Sequence, residues 1–112
     1  MNYQHSQLAA GRWFKLSLVE QLANIGSEVE RTIIWKQKGN PDYSMQALYR
    51  AVELMILTNK DKKNQKRLKE ICRLKEILLD YFIGENQYHS SDLLWRKYFY
   101  PFYILARKNP TS

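Results

Sequence analysis

Lysines and arginines are most concentrated between residues 60 and 75, where their side chains could bind an anionic partner. The run has eight cations against two carboxylates, Asp61 and Glu70, so it holds most of the chain's net charge of +7. Neutralising phosphates with such cations releases counterions, which predicts binding to RNA or DNA with little sequence selectivity and steep salt dependence. The predicted nucleic-acid-binding residues are Lys60, Lys62, Lys63, Lys66, Arg67, Lys69 and Arg73.

Four of these cations step along the chain by 4, 3 and 4 residues, so on one α-helix they would form a stripe about 16 Å long. They are Lys62, Lys66, Lys69 and Arg73. The alternative is an ordinary solvated helix face, stabilised by pairs such as Lys66 with Glu70. Both interpretations stay open because a charged run is by itself weak evidence, while this one carries nearly all of the net charge.

Aromatic residues form a second candidate surface near the carboxyl end, where six rings lie within nine positions. One helix of a small bundle cannot bury so many rings on one face, so some should be exposed or covered by a partner. A base-stacking platform is the alternative to protein contact. Trp13 and Trp35 are predicted to project from the polar side of the first helix and to support self-association. The predicted oligomer or partner interface comprises Trp13, Trp35, Trp95, Tyr98, Phe99, Phe102 and Tyr103.

The sequence contains no comparably strong catalytic or metal-binding motif. His5 and His89 have no motif around them, and the sequence contains neither a His-Glu-x-x-His pattern nor a Gly-rich phosphate loop. The single cysteine, Cys72, excludes an intramolecular disulfide, and its position predicts an inert core residue. We therefore expect a non-enzymatic protein with no cofactor, no metal and no small-molecule substrate.

Length and composition predict one domain over residues 1–112, with a mobile amino terminus over residues 1–12. The chain is 45% hydrophobic and 26% charged, and its four Gly and three Pro disfavour disorder or a many-turned β-sandwich. No segment approaches the roughly 20 apolar residues that a membrane span needs, and none resembles a signal peptide. Together with one cysteine, this predicts a cytoplasmic protein without membrane association, although charge alone also suits an anionic membrane surface.

Three breaks at residues 38–41, 59–64 and 84–91 divide the chain into four segments of helical length. In the first, roughly 13–37, an apolar arc faces away from a polar side that includes Gln21, Asn24, Glu28 and Arg31. Gly39 suits the left-handed position after this helix, and Asn40-Pro41 suits the start of the next, which should end near residue 59.

The third segment should begin with a cap at Asp61 or Asn64 and end at Gly84. The fourth should begin at Ser90 or Ser91 and run to about residue 106, with a kink at Pro101. Four helices joined by loops of about 3 to 8 residues predict an all-α fold, an antiparallel up-down four-helix bundle.

Two short motifs resemble a known family. In Asn24-Ile25-Gly26-Ser27-Glu28-Val29-Glu30-Arg31, an Asn-Ile pair is followed by Arg, and Ala47-Leu48-Tyr49-Arg50-Ala51-Val52-Glu53-Leu54 combines small residues with Glu-Leu. Together they resemble the four-helix-bundle ribosomal-RNA intervening-sequence proteins, a group that includes the accessory variability proteins of diversity-generating retroelements. The resemblance implies a basic, ring-shaped homo-oligomer, typically a pentamer, that binds nucleic acid and, in retroelements, a reverse transcriptase. It also implies that Asn24 and Arg31 are subunit-contact or structural residues.

The sequence thus supports two functional hypotheses. The first is a non-enzymatic oligomeric scaffold that binds RNA or DNA, such as an accessory subunit of a reverse-transcriptase system. The second is a protein-interaction module, an adaptor or antitoxin-like subunit, whose aromatic last helix binds a partner and whose charge confers solubility.

Overall fold

A computed structural model describes residues 11–108 and shows an all-α protein, as predicted. The four long helices are α1 (Leu18–Gln37), α2 (Pro41–Lys60), α3 (Leu68–Ile83) and α4 (Asp92–Lys108), and a 3-10 helix spans Lys62–Arg67. These described residues contain no β-strand. None of the helices within them has both the length and the apolar character that crossing a membrane requires. Most of the predicted mobile amino terminus lies outside the described residues.

The break between α1 and α2 has the predicted geometry. Gly39 adopts a left-handed backbone conformation, with φ of +76°. Asn40 caps α2 because its side chain accepts a hydrogen bond from the backbone N–H of Tyr43, and Pro41 occupies the first helical turn. The end of α3 and the start of α4 also lie close to their predicted positions. Gly84 follows α3, and the Ser91 hydroxyl accepts a hydrogen bond from the backbone N–H of Leu94.

The start of α1 differs from prediction, and this changes the position of Trp13. Ser17 and Glu20 form a reciprocal capping box, so the helix begins at Leu18. The preceding turn is closed by a hydrogen bond from the backbone N–H of Leu16 to the Trp13 carbonyl. Trp13 is buried in the core, so the prediction that it projects from the polar side of α1 is wrong.

The core forms around α1, which has its most extensive contacts with α2 and α4, while α3 packs mainly on α2. Because α1 has neighbours on two sides, part of its polar face is also buried. Gln21 is fully buried and Glu28 nearly so, whereas Asn24 and Arg31 are exposed. The two arginines Arg31 and Arg50 bind the Glu28 carboxylate, which links α1 to α2.

The aromatic cluster of α4 is divided between core and surface. Trp95 and Phe99 are buried and their rings stack, so the prediction that they form an exposed interface is wrong; they instead pack against the chain's own helices. Tyr98 is exposed, and Phe102 and Tyr103 are half-buried. Trp35 is half-buried and packs edge-to-face on Tyr43 with 4.8 Å between ring centroids. The helix α4 therefore buries only some of its aromatic rings.

The core-facing side of α3 consists of Ile71, Leu74 and Leu78. Cys72 lies beside this line and is exposed, which contradicts its predicted core position. Its sulfur accepts a hydrogen bond from the Asn59 side chain at 3.2 Å.

Close packing of α4 on α1 depends on the missing side chain of Gly26. A Cβ atom built at Gly26 would lie 2.6 Å from the Tyr103 hydroxyl and 2.8 Å from Phe99 Cβ. We therefore expect Gly26→Ala to lower the free energy of unfolding by about 1–3 kcal/mol, through overpacking. Urea denaturation measures this change. Ser27→Ala, at the adjacent exposed position, is the control, and an equal loss in both variants would contradict the steric explanation.

Asp92 joins three helix ends. It accepts hydrogen bonds from the Tyr81 hydroxyl at 2.6 Å and from Lys36 Nζ at 2.9 Å. Partial burial of Asp92 opposes ionisation, but the hydrogen bonds from Tyr81 and Lys36 outweigh it and hold the pKa of Asp92 below its ordinary value of 3.8.

Because the pKa of Asp92 is lowered in the folded state, the stability of the fold should decrease in acid. Ionised Asp92 stabilises the fold above about pH 4, and that contribution is lost as pH falls through the lower, folded-state pKa. Asp92→Asn should therefore reduce stability at pH 7 and flatten its decline in acid, as measured by thermal unfolding across pH. Asp42→Asn, in the exposed first turn of α2, should reduce stability less, by no more than about 1 kcal/mol from the helix dipole.

Candidate nucleic-acid interface

The seven predicted phosphate-binding cations are all exposed and lie at the end of α2, in the 3-10 helix and in the first part of α3. Their arrangement differs from prediction, because residues 62–67 form a 3-10 helix and only Lys69 and Arg73 belong to α3. In a 3-10 helix, residues three apart overlie each other, so Lys63 and Lys66 share a side whereas Lys62 does not. The prediction of a single stripe on one α-helix is therefore wrong. We call residues 60–73 the basic turn.

Two of the seven cations have partners within the chain. Lys63 forms an ion pair with Asp61 and donates a second hydrogen bond, at 3.1 Å, to the Phe14 carbonyl. Arg67 pairs with Glu70 at the surface. The others form no ion pair within residues 11–108 and are available to an anion; they are Lys60, Lys62, Lys66, Lys69 and Arg73.

A buried hydrogen-bond network holds the basic turn on the core. The Gln21 amide donates to Asp61 at 2.9 Å and to the Trp13 carbonyl at 3.0 Å, and it accepts from the Asn64 side chain at 2.9 Å. Asn64 also donates to the Thr58 carbonyl. The Trp13 indole N–H donates to the Thr58 hydroxyl at 3.0 Å. We call these five residues the anchor network.

The charge of Asp61 is part of this anchoring. Burial disfavours its ionised form, but hydrogen bonds from the Lys63 and Gln21 side chains outweigh burial and lower the pKa of Asp61. Its side chain also caps the 3-10 helix by accepting from the backbone N–H of Lys63. Asp61 therefore remains a carboxylate at neutral pH and fixes the first residues of the basic turn.

The turn preceding α1 extends the charged surface in a way that the sequence did not predict. The hydrogen bond from Lys63 to the Phe14 carbonyl brings residues 12–15 against the basic turn. Arg12 and Lys15 are exposed there, as is the Phe14 ring. No local pattern indicates this contact, because 49 positions separate Phe14 from Lys63.

An apolar surface remains on α4, away from its core-facing side. Exposed residues recur there at intervals of 4, 3 and 4, the spacing of a helix-packing seam. They are Leu94, Tyr98, Pro101 and Leu105. Lys97 and Lys108 are exposed on the same helix. We call this surface the α4 seam.

A cavity of about 320 Å³ opens between the ends of α1 and α2, with Phe82 of α3 on its wall. Its lining is mostly apolar, and the amino group of Lys36 at its edge is already bound to Asp92 and Tyr81. Over residues 11–108, no group of three or more His, Cys, Asp or Glu side chains is placed to hold a metal ion.

No protein-family model matches the chain, and comparisons with curated proteins and with solved structures find no significant match. The resemblance to the intervening-sequence proteins stays a prediction. The interpretation of the basic turn therefore rests on its own geometry and charge.

Proposed function

We propose that the protein is a non-enzymatic nucleic-acid-binding scaffold that contacts phosphates through the basic turn. The observation that carries this proposal is a set of five exposed cations without an internal ion pair among the described residues, held by a buried network. A flexible charged surface would lose side-chain and backbone entropy on binding, whereas an anchored turn is already ordered.

The proposed scaffold is an up-down bundle of the four helices. Contacts of α1 with both α2 and α4, and of α2 with α3, support this arrangement. Homo-oligomerisation, and association with a reverse transcriptase, remain part of the proposal through the family resemblance alone. Multi-angle light scattering of the purified protein tests the oligomeric state.

A salt series tests the phosphate-binding proposal. Five phosphate contacts predict that the logarithm of affinity falls against the logarithm of salt concentration with a slope of about −4. Fluorescence anisotropy with labelled RNA and DNA, each single-stranded and duplex, measures this slope. A slope shallower than about −1, or no binding at low salt, would contradict the proposal.

The α4 seam favours a second candidate function, binding of an acidic amphipathic helix from another protein. Leu94, Tyr98 and Leu105 are exposed at a spacing suited to helix packing. The only carboxylate of α4, Asp92, is already bound, while Lys97 and Lys108 are free of ion pairs within the described chain. A second copy would bring like charges together across this seam, whereas an acidic helix complements them.

Two matched peptides test this second function. A Leu-rich amphipathic helix with Glu flanks should bind, and the same helix with Lys flanks should not. Tyr98→Ser should weaken binding, whereas Tyr100→Ser, on another exposed side of α4, should not. Equal binding of both peptides would exclude charge complementarity as the basis of recognition.

A further inference from the structure

Phe14 is an exposed aromatic residue beside the basic turn. The residue is 39% exposed, although the neighbouring Trp13 is buried. The Phe14 carbonyl accepts a hydrogen bond from Lys63 Nζ at 3.1 Å, so the Phe14 backbone lies against the basic turn. The exposed part of this apolar residue contributes little to folding, which favours a role in binding a ligand that has both a phosphate and a flat face.

The position of Phe14 is fixed from three sides. Trp13 is held in the core by its hydrogen bond to Thr58, and Gln21 binds the Trp13 carbonyl. On the other side, Lys63 bonds to the Phe14 carbonyl itself. The backbone of Phe14 is therefore ordered before any ligand arrives, so a stacking contact would not require the turn to fold first.

Cations flank Phe14 in the sequence and also lie on the segment that its carbonyl contacts. Arg12 and Lys15 are exposed on either side of Phe14, and Lys62 and Lys66 are exposed on the adjoining 3-10 helix. A partly exposed aromatic residue whose backbone contacts a cationic segment is suited to a strand whose phosphates bind the cations while an unpaired base stacks on the ring. Bases of a duplex are stacked on each other and do not offer that face.

From this geometry, we infer that the basic turn binds single-stranded nucleic acid in preference to duplex, with Phe14 stacking on an unpaired base. The inference rests on the proposed phosphate-binding function and adds the class of substrate. Phosphate contacts supply affinity for any strand, and stacking supplies the preference for an unpaired base, so the two contributions are separable.

The experiment compares the intact protein on three labelled probes of about 15 nucleotides: a thymidine strand, an abasic strand with the same phosphates, and a duplex. A uridine RNA strand, compared with the thymidine DNA strand, shows which of the two nucleic acids the protein binds more tightly. We expect the wild-type protein to bind the thymidine strand about tenfold more tightly than the abasic strand. Phe14→Leu should reduce this ratio to about one and leave the salt dependence unchanged.

Two further variants distinguish the loss of the stacking ring from a loss of folding. Phe14→Trp should preserve the ratio, because a larger ring still stacks. Tyr88→Leu replaces an exposed ring in the loop between α3 and α4 and should also preserve it. Thermal unfolding monitored by circular dichroism verifies that each variant is folded.

The outcomes separate this inference from the function on which it rests. Equal wild-type binding to thymidine and abasic strands, or an unchanged ratio in Phe14→Leu, would overturn the stacking inference. If both strands still bind with a steep salt slope, the phosphate-binding function stands without it. Absence of binding to every probe at low salt would overturn both.

Discussion

Lys66→Glu combined with Lys69→Glu should weaken nucleic-acid binding by roughly 100-fold at about 0.1 M salt and make the salt slope less negative by about 2. The two side chains are exposed, form no ion pair within the described chain and lie where the 3-10 helix meets α3. Acidic residues near the start of α3 suit the helix dipole, so the fold should persist. Fluorescence anisotropy and circular dichroism measure the two properties.

The matched control for this variant is Lys97→Glu with Lys108→Glu. It changes the net charge by the same amount, but on α4 rather than on the basic turn. If binding depends on the basic turn, the control should retain most of the affinity. Equal losses in the two double variants would show that binding follows total charge and would reject a defined site.

Gln21→Leu should destabilise the protein by about 2–4 kcal/mol, because it leaves buried hydrogen-bonding groups without a partner. Gln21 is fully buried and contacts Trp13, Asp61 and Asn64 through three hydrogen bonds. The same change releases the basic turn from α1, so nucleic-acid affinity should fall even at temperatures where the variant is folded. Urea denaturation measures the stability change, and anisotropy measures the affinity.

Asn24→Ala is the control for this second prediction. Asn24 is an exposed amide one turn further along α1, and within residues 11–108 its side chain donates only to the Glu20 carbonyl of its own helix. Its removal should cost less than about 0.5 kcal/mol. A loss in Gln21→Leu no larger than this would contradict the role assigned to the anchor network.

Signals that act within a few residues predicted much of the helical structure. Gly39, Asn40 and Pro41 define the end of α1 and the start of α2 through their own backbone preferences and side-chain hydrogen bonds. The all-α class followed from the same local evidence. The up-down topology depends on long-range contacts and remains part of the proposal.

Errors arose where a residue's environment is set by a distant element. Helical periodicity assigned Gln21 and Glu28 to the polar side of the first helix, but α1 lies between α2 and α4 and buries both residues. Trp13 was assigned to the first helix, although the Ser17 cap starts that helix later and leaves Trp13 in a separate helical segment, residues 11–13, where it packs on the core. Hydrophobic periodicity detects one buried face and cannot detect a second.

In the candidate site, too, local features were predicted from the sequence and long-range contacts were not. Composition identified the cations of the basic turn, because clustered charge is visible in the sequence itself. The anchor network was not predicted, since it joins Gln21 to Asp61 and Asn64 across 40 and 43 positions. Phe14 was missed for the same reason, because its relation to Lys63 exists only after folding.

The uneven contacts of α1 also determine how the molecule can open. α1 and α2 share the most extensive contact, while α4 is attached mainly to α1 and α3 mainly to α2. Few direct contacts join the backbones of α3 and α4 within residues 11–108, so either helix can detach without displacing the other once the hydrogen bond between Tyr81 and Asp92 has opened. We therefore expect the two outer helices to unfold locally as separate units, with lower opening free energies than the central pair. Amide protons on the central pair should consequently exchange with solvent last.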